Sequence, residues 1–190
     1  PSGSPKALAL DGNERIYVGM QRDGLFVGES GRFERVGGSG GLAVQNFVTS
    51  VAAVHDGTVW VGTLGDGLYG LRADSEVHLT TADGLADVSV LSVCVDEQGA
   101  VWAGTGAGTV HRFADDHMAR YDARQGLPGA PVTVLIPAAG GLWAGTAAGQ
   151  ILREQNGSFA TVAAAPDDDR HAVLALREGD LNRLWVGTDG

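Results

Sequence analysis

The chain has 190 residues, with 13 basic against 23 acidic side chains and a formal charge of −10. A field of that sign repels phosphate backbones and anionic lipid surfaces, so no nucleic acid is expected as a partner. Thirty glycines, about twice the usual share, with only six prolines and 44% hydrophobic residues, exclude a collagen-like or disordered chain and suit many short strands joined by tight turns.

No apolar stretch approaches the ~20 residues of a membrane span, and no signal-peptide pattern opens the chain, which begins at Pro1 and is expected to be a processed or excised piece. The basic residues are twelve Arg and the single Lys6, a compositional bias that carries no chemistry. The only cysteine, Cys94, lies in the apolar run 88–95, which forbids an intramolecular disulfide and reads as a buried thiol.

Taken in chain order, one pattern of aromatic, small residue, Gly and Thr recurs. It reads Tyr17-Val18-Gly19-Met20, Trp60-Val61-Gly62-Thr63, Trp102-Ala103-Gly104-Thr105, Trp143-Ala144-Gly145-Thr146 and Trp185-Val186-Gly187-Thr188, with aromatic spacings of 43, 42, 41 and 42. A second marker, Gly41-Leu42, Gly84-Leu85 and Gly126-Leu127, keeps the same phase. In the second unit, strands are expected at 47–54, 59–63, 68–72 and 77–81, separated by turns at 55–57, 65–67 and 73–75.

Four short strands per unit of about 42 residues predict an all-β propeller of four-stranded antiparallel blades. The blades fall at about 6–37, 46–81, 88–122 and 132–163, with a half blade at 171–190. Helical repeats of similar length are excluded by strings such as Thr58-Val59-Trp60-Val61-Gly62-Thr63, whose β-branched residues and glycine disfavour helix. The repeated aromatics are expected on equivalent middle strands, filling the wedge against the neighbouring sheet. The glycine two residues later is expected to admit a neighbouring backbone. The pairs at 11–12, 56–57, 140–141 and 156–157 are expected to supply left-handed turn positions.

The blocks Asp83-Gly84-Leu85, the strand 88–95, Asp96 to Gly99 and Val101-Trp102-Ala103-Gly104-Thr105 resemble the two-component regulator propeller repeat. The second unit repeats the resemblance from Gly41-Leu42 to Asp66-Gly67-Leu68. Departures are Met20 in place of Thr, the missing leucine in Ala107-Gly108-Thr109 and Ala148-Gly149-Gln150, and Asp167-Asp168-Asp169 where the Asp-Gly-Leu turn belongs. The resemblance implies a non-catalytic ligand- or protein-binding sensor propeller, periplasmic or extracellular, from a bacterial two-component regulator. Any output domain would lie outside this sequence.

The rival class is a carbohydrate-active propeller enzyme. A glycosidase needs two carboxylates converging on one bond, whereas the acidic residues here are spread through turns. The sialidase-like turn motif is only partly matched at His55-Asp56-Gly57-Thr58-Val59-Trp60, and the Trp-Phe-Thr strand of streptogramin lyases is absent. Histidines 55, 78, 111, 117 and 171 have no metal-like spacing and read as turn or surface residues. The run Gly104-Thr105-Gly106-Ala107-Gly108 lacks the lysine and helix of a phosphate loop, and Asp167 to Asp169 reads as a solvated acidic loop. No cofactor or metal is expected.

Function in such scaffolds sits in loops, those joining the second strand to the third and the fourth to the next blade. The candidate ligand-binding residues are therefore Gln21, Arg22, Asp23, Leu64, Asp66, Asp87, Arg124, Gln125 and Arg170. The expected partner is a small molecule, with carbohydrate one option, or a protein. Because four blades and a half leave strand edges uncovered, the expectation is a piece of a longer propeller or pairing with another copy across those edges.

Overall fold

The computed structural model describes residues 3–29, 31–36, 47–72, 75–115, 117–164, 171–180 and 183–190. The markers Gly41-Leu42 and Asp167 to Asp169, and the candidate Arg170, lie outside them. The described residues are almost entirely strand and turn. The first sheet holds β1 (Pro5–Leu10), β2 (Ile16–Met20), β3 (Gly24–Glu29) and β4 (Arg32–Arg35), and the second β5 (Val48–Ala53), β6 (Val59–Thr63), β7 (Leu68–Leu71) and β8 (Glu76–Leu79). The third holds β9 (Val90–Val95), β10 (Val101–Thr105), β11 (Val110–Ala114) and β12 (His117–Tyr121), and the fourth β13 (Val132–Ala138), β14 (Gly141–Thr146), β15 (Gln150–Gln155) and β16 (Ser158–Ala164). A two-stranded pair, β17 (Val173–Gly179) and β18 (Arg183–Thr188), follows. Within each sheet the strands lie in chain order, joined as antiparallel hairpins, which is the blade of a β-propeller.

The chain divides into two compact units, Pro1–Val93 and Cys94–Gly190. The core of the first is Tyr17, Leu25, Val48, Val51, Val59, Val61, Tyr69 and Leu71, and that of the second includes Trp102, Leu127, Val132, Leu142, Leu152 and Phe159. Alternation explains how one strand serves two interfaces. Val59 and Val61 turn to the core shared with Tyr17, whereas Gly62 on the opposite face meets Val90 and Val93.

The repeated Trp-x-Gly-Thr string has a specific physical role at each position. Tyr17, Trp60, Trp102, Trp143 and Trp185 all lie on the second strand of their sheets. Tyr17 and Trp102 are buried as expected, but Trp185 is 63% exposed, with no sheet among the described residues against its face. The glycine is a socket for a side chain rather than for a backbone. A Cβ at Gly62 would stand 3.0 Å from Val90 Cγ1, one at Gly145 would stand 2.5 Å from Val173 Cγ1, and one at Gly19 would overlap Val48. These valines begin the first strand of the next sheet, Val132 holds the same position in the fourth, and all four are buried. The threonine shapes the turn that follows: Thr63 Oγ1 donates to Gly67 O at 2.8 Å and accepts from Asp66 N at 3.2 Å, and Thr105 and Thr146 accept from Thr109 N and Gln150 N.

The Gly-Leu marker also acquires a cause. Strand β8 stops at Leu79, two residues before the expected end, because Thr80 caps a 3-10 turn over Thr81–Asp83. Ala82 N donates to Thr80 Oγ1 and Thr80 N to Asp83 Oδ2, a reciprocal capping box. Gly84 then takes φ 103°, and Leu85 is buried. Asp122, Gln125, Gly126 and Leu127 repeat the device around Ala123–Gln125.

The hairpin between the first two strands uses an aspartate to aim the aromatic. Asp96 accepts from Gln98 N, Ala100 N and Trp102 Nε1 at 3.0, 2.8 and 2.8 Å. Asp11 does the same for Asn13 N and Arg15 N and reaches Tyr17 OH at 3.4 Å. In the fourth sheet the register puts Ala138 at this position, and Trp143 Nε1 is buried with no hydrogen-bond partner. Asp96→Ala strands two turn amides and a buried indole N–H, so it is expected to lower stability by about 2 kcal/mol, read from urea unfolding followed by tryptophan emission.

The expectation of a left-handed Gly12 fails. In the first hairpin Glu14 takes φ 62°, at the place where Gly57 and Gly99 take φ 86° and φ 84°. All three amides close the turn on the residue three before, Asp11, Val54 and Asp96 respectively. A side chain in that region costs about 1 kcal/mol, partly offset by the greater unfolded-state freedom of glycine. Glu14→Gly is therefore expected to raise stability by about 0.5 kcal/mol, measured as a higher urea midpoint.

Candidate functional site

The sequence candidates in the first unit cluster on the end of the sheets where the second strand turns into the third. Leu64, 48% exposed, donates its amide to Phe47 O and bridges Ser89, while Gly67 N donates to Val88 O at 2.7 Å. The turn 64–67 and the link carrying Asp87 are thus brought together, and Asp87 itself accepts from Ser89 N at 2.9 Å.

Asp66 is committed within its own blade. Tyr69 OH donates to Asp66 Oδ2 at 2.6 Å, His78 lies flat on the Tyr69 ring at 4.0 Å, and His78 Nε2 meets Asp66 O at 2.7 Å. Burial, with the Asp66 hydrogen bond and charge adding to it, pushes the Tyr69 hydroxyl well above its ordinary range, so it stays protonated. In the first sheet, Asp23 Oδ2 accepts from Gly3 N at 3.1 Å beside the half-buried Gln21 and the exposed Arg22.

Arg124 and Gln125 belong to the second unit. Gln125 spends its side chain on the capping box, where Asp122 N donates to its Oε1 at 3.1 Å, and Arg124 is exposed. Of the described candidates, Arg22, Leu64 and Arg124 present exposed side chains and the rest are half-buried.

At the opposite strand ends of the first unit, a cleft of about 680 Å³ opens between the first and second sheets. Sequence reasoning placed no candidate here because it took its candidates from the other end. Val27, Val36, Val59 and Leu71 supply apolar lining, and Arg15, Asp56, Arg72 and Ser75 supply polar groups. Arg15 Nε donates to Asp11 Oδ2 at 2.7 Å and its guanidinium lies over the Tyr17 ring. Arg72 pairs with Asp56 and donates to Thr58 Oγ1 at 2.7 Å.

Burial raises the Asp11 carboxyl, but the amides of Arg15 and Asn13 and the Arg15 guanidinium outweigh it and hold the group below the usual carboxylate range. The Thr58 amide, helped by Arg72, does the same for Asp56. Both carboxylates are therefore ionised and engaged, the wrong state for a general acid. The lining thus sets apolar side chains beside ion-paired polar ones.

Among the described residues no three His, Cys, Asp or Glu side chains stand together as a metal site, and no helix is long and apolar enough to cross a membrane. Cys94 is buried as expected, and burial pushes its thiol up to about 12. His111 is the exception among the histidines: it lies on β11 and is fully buried, where the sequence suggested turn or surface.

Residues 84–107, the glycine after the capping box through the turn beyond β10, match the family model described as two component regulator propeller. The chain carries a two-component regulator propeller repeat. No curated protein sequence matches the chain. Among solved structures, the extracellular domain of a putative hybrid two component system from B. thetaiotaomicron superposes with a TM-score of 0.82 at 20% identity, over 98% of this chain and 27% of that one. The extracellular domain of a putative one component system from the same organism gives 0.79 at 20%, over 97% and 25%. Virginiamycin B lyase from Staphylococcus aureus gives 0.76 at 14%, over 97% and 63%. The chain thus spans about a quarter of the regulator domains and under two thirds of the lyase. At these identities the likeness establishes the propeller fold, and the regulator repeat shares it with sensor domains and with an enzyme alike.

Proposed function

We propose that this chain is a ligand- or protein-binding sensor propeller without catalytic activity, from the extracytoplasmic part of a bacterial two-component-type regulator. The observation that carries the reading is the regulator-type repeat at 84–107, set in sheets that resemble regulator extracellular domains. Asp56, the one carboxylate among the described residues lining the cleft, adds to it, since it is paired with Arg72 and held ionised, the wrong state for a general acid.

The second reading, a lyase- or glycosidase-like propeller, rests on the virginiamycin B lyase likeness. One scaffold hosts both functions, so the site has to decide. Thermal denaturation of the chain against panels of oligosaccharides and small organic anions separates them. A ligand that binds only the folded state at a hundredfold excess over Kd adds about 2.7 kcal/mol, a shift of several degrees in Tm. The sensor reading expects such a shift with the ligand recovered intact, and recovery of a cleaved or eliminated product would replace it with the enzyme reading.

A further inference from the structure

The interface between the first and second sheets matches that between the third and fourth residue by residue, because their registers agree. Tyr17 pairs with Val27 as Trp102 pairs with Arg112. Two residues back along the third strand, Leu25 O accepts from Val36 N where Val110 pairs with Tyr121. Val27 thus holds the position of Arg112, and Val36 that of Tyr121. On the facing sheets Val59 pairs with Leu71 and Leu71 with Glu76, as Leu142 pairs with Glu154 and Glu154 with Phe159. Glu76 therefore stands where the second unit has Phe159.

In the second unit large side chains close this interface. The Tyr121 ring lies 5.3 Å from that of Trp102 and 5.8 Å, edge on, from that of Phe159, and the Arg112 guanidinium lies over Trp102. The first unit has valine at two of these places and the exposed Glu76 at the third. The cleft of about 680 Å³ opens there, with Val27 and Val36 in its wall. Both sheets that form it are complete, four strands each.

The space left is that of a ring. Tyr17 presents an aromatic face where the second unit has Trp102, and Val59 and Leu71 add apolar wall. The charges at the rim are already matched, Arg15 with Asp11 and Arg72 with Asp56, so they leave no net charge for a charged ligand to neutralise. The ring that fills the space in the second unit is itself neutral: burial, with Glu154 adding and Arg112 opposing, raises the Tyr121 hydroxyl above its ordinary value. An apolar cavity opened by shortening a side chain takes up a free ring such as benzene, and Val36 in place of tyrosine is such a shortening within one repeated frame.

We propose that the cleft between the first and second sheets is a binding site for a neutral phenol, whose ring takes the place that Tyr121 fills in the second unit and whose hydroxyl meets the polar rim at Asp56 and Arg72. The inference concerns binding alone and holds whether the propeller senses or catalyses.

The probe is p-cresol, the tyrosine side chain as a free molecule, with cyclohexanol as the non-aromatic control. Amide resonances of the unmodified chain, followed by NMR during titration, are expected to shift saturably at Gly57, Arg72 and Ser75 and to stay in place at Leu64 and Asp66, at the opposite strand ends. Cyclohexanol is expected to bind several-fold more weakly, since it lacks the ring that packs against Tyr17. Val36→Tyr, which puts the side chain back, is expected to lose the p-cresol shifts. The converse change, Tyr121→Val, is expected to open a second site, with p-cresol shifting the resonances of Trp102 and Phe159 and restoring part of the variant's lowered urea midpoint.

Absence of saturable shifts up to the solubility limit of p-cresol overturns the proposal, as do shifts centred on Leu64 and Asp66 or equal binding of cyclohexanol. Undiminished binding in folded Val36→Tyr, or no uptake of p-cresol by folded Tyr121→Val, overturns it as well. The titration of the unmodified chain decides even where a variant fails to fold.

Discussion

Gly19→Ala is expected to cost about 3 kcal/mol, the effect of one methyl group set against a packed valine. Gly19 is not among the left-handed glycines, so its backbone accepts a side chain and the penalty is steric alone. The added Cβ would overlap Val48 Cγ1, and Val48 is fully buried where the second sheet meets the first. Overpacking of this kind costs about 1–3 kcal/mol, and the upper end applies where the obstacle is a stiff β-branched side chain.

Two comparisons make the expectation specific. Gly62→Ala, whose nearest neighbour is Val90 Cγ1 at 3.0 Å, should cost clearly less. In the double variant Gly19→Ala with Val48→Ala, the closest remaining atoms are Val48 Cβ at 3.1 Å and Val51 Cγ2 at 3.2 Å, so the new methyl occupies space that the valine vacated. The cycle should show favourable coupling of at least about 1 kcal/mol by denaturant unfolding. Simple additivity of the two costs would show that Val48 does not fill the Gly19 socket.

This pair also marks where sequence reasoning stopped. The recurrence of Trp, Gly and Thr in phase was enough to place four sheets and the second-strand aromatics, because strand period and turn chemistry are local signals. It identified a hollow at the glycine but assigned it to a backbone, since the residue that fills it, Val48 for Gly19, is 29 positions away in a different sheet, and local patterning says nothing about which side chain crosses an interface. The exposure of Trp185 is illegible for the same reason: its string is the same as that of Trp60, and what differs is that no sheet among the described residues packs on it.

The candidate site was less legible. Turn residues were read as free to bind, yet Asp66, Asp87 and Gln125 each spend side-chain oxygens on Tyr69, Ser89 or Asp122. That is the ordinary use of such residues in turns and caps. The cleft escaped notice because Arg15 and Arg72 come from different sheets and look in sequence like scattered surface charges.

Acid is expected to weaken the second unit through a residue that sequence reasoning misplaced. His111 is fully buried on β11, its Nε2 3.4 Å from Thr109 Oγ1 and its strand position opposite Arg120. Burial, with the positive charge of Arg120 adding to it, pushes the imidazole from its ordinary value near 6.5 down to about 4. The folded state therefore prefers the neutral ring, and above about pH 6.5 neither state binds a proton there, so the contribution is flat. As pH falls from about 6.5 to about 4 the unfolded chain takes up a proton that the folded chain refuses, and stability drops throughout that window. Below about 4 both states are protonated and the loss ends. At 1.36 kcal/mol per pH unit the full loss is about 3 kcal/mol. Asp11 and Asp56, held below the usual carboxylate range, lose their contributions in a separate window at lower pH. Urea unfolding measured from pH 7 to pH 4 should show the decline, and His111→Gln should flatten it over the same interval whatever its own stability at pH 7. The His111 ring resonances in NMR should titrate well below 6.5; a His111 midpoint near 6.5, or an unchanged pH slope in the Gln variant, would rule out the buried neutral ring as the cause.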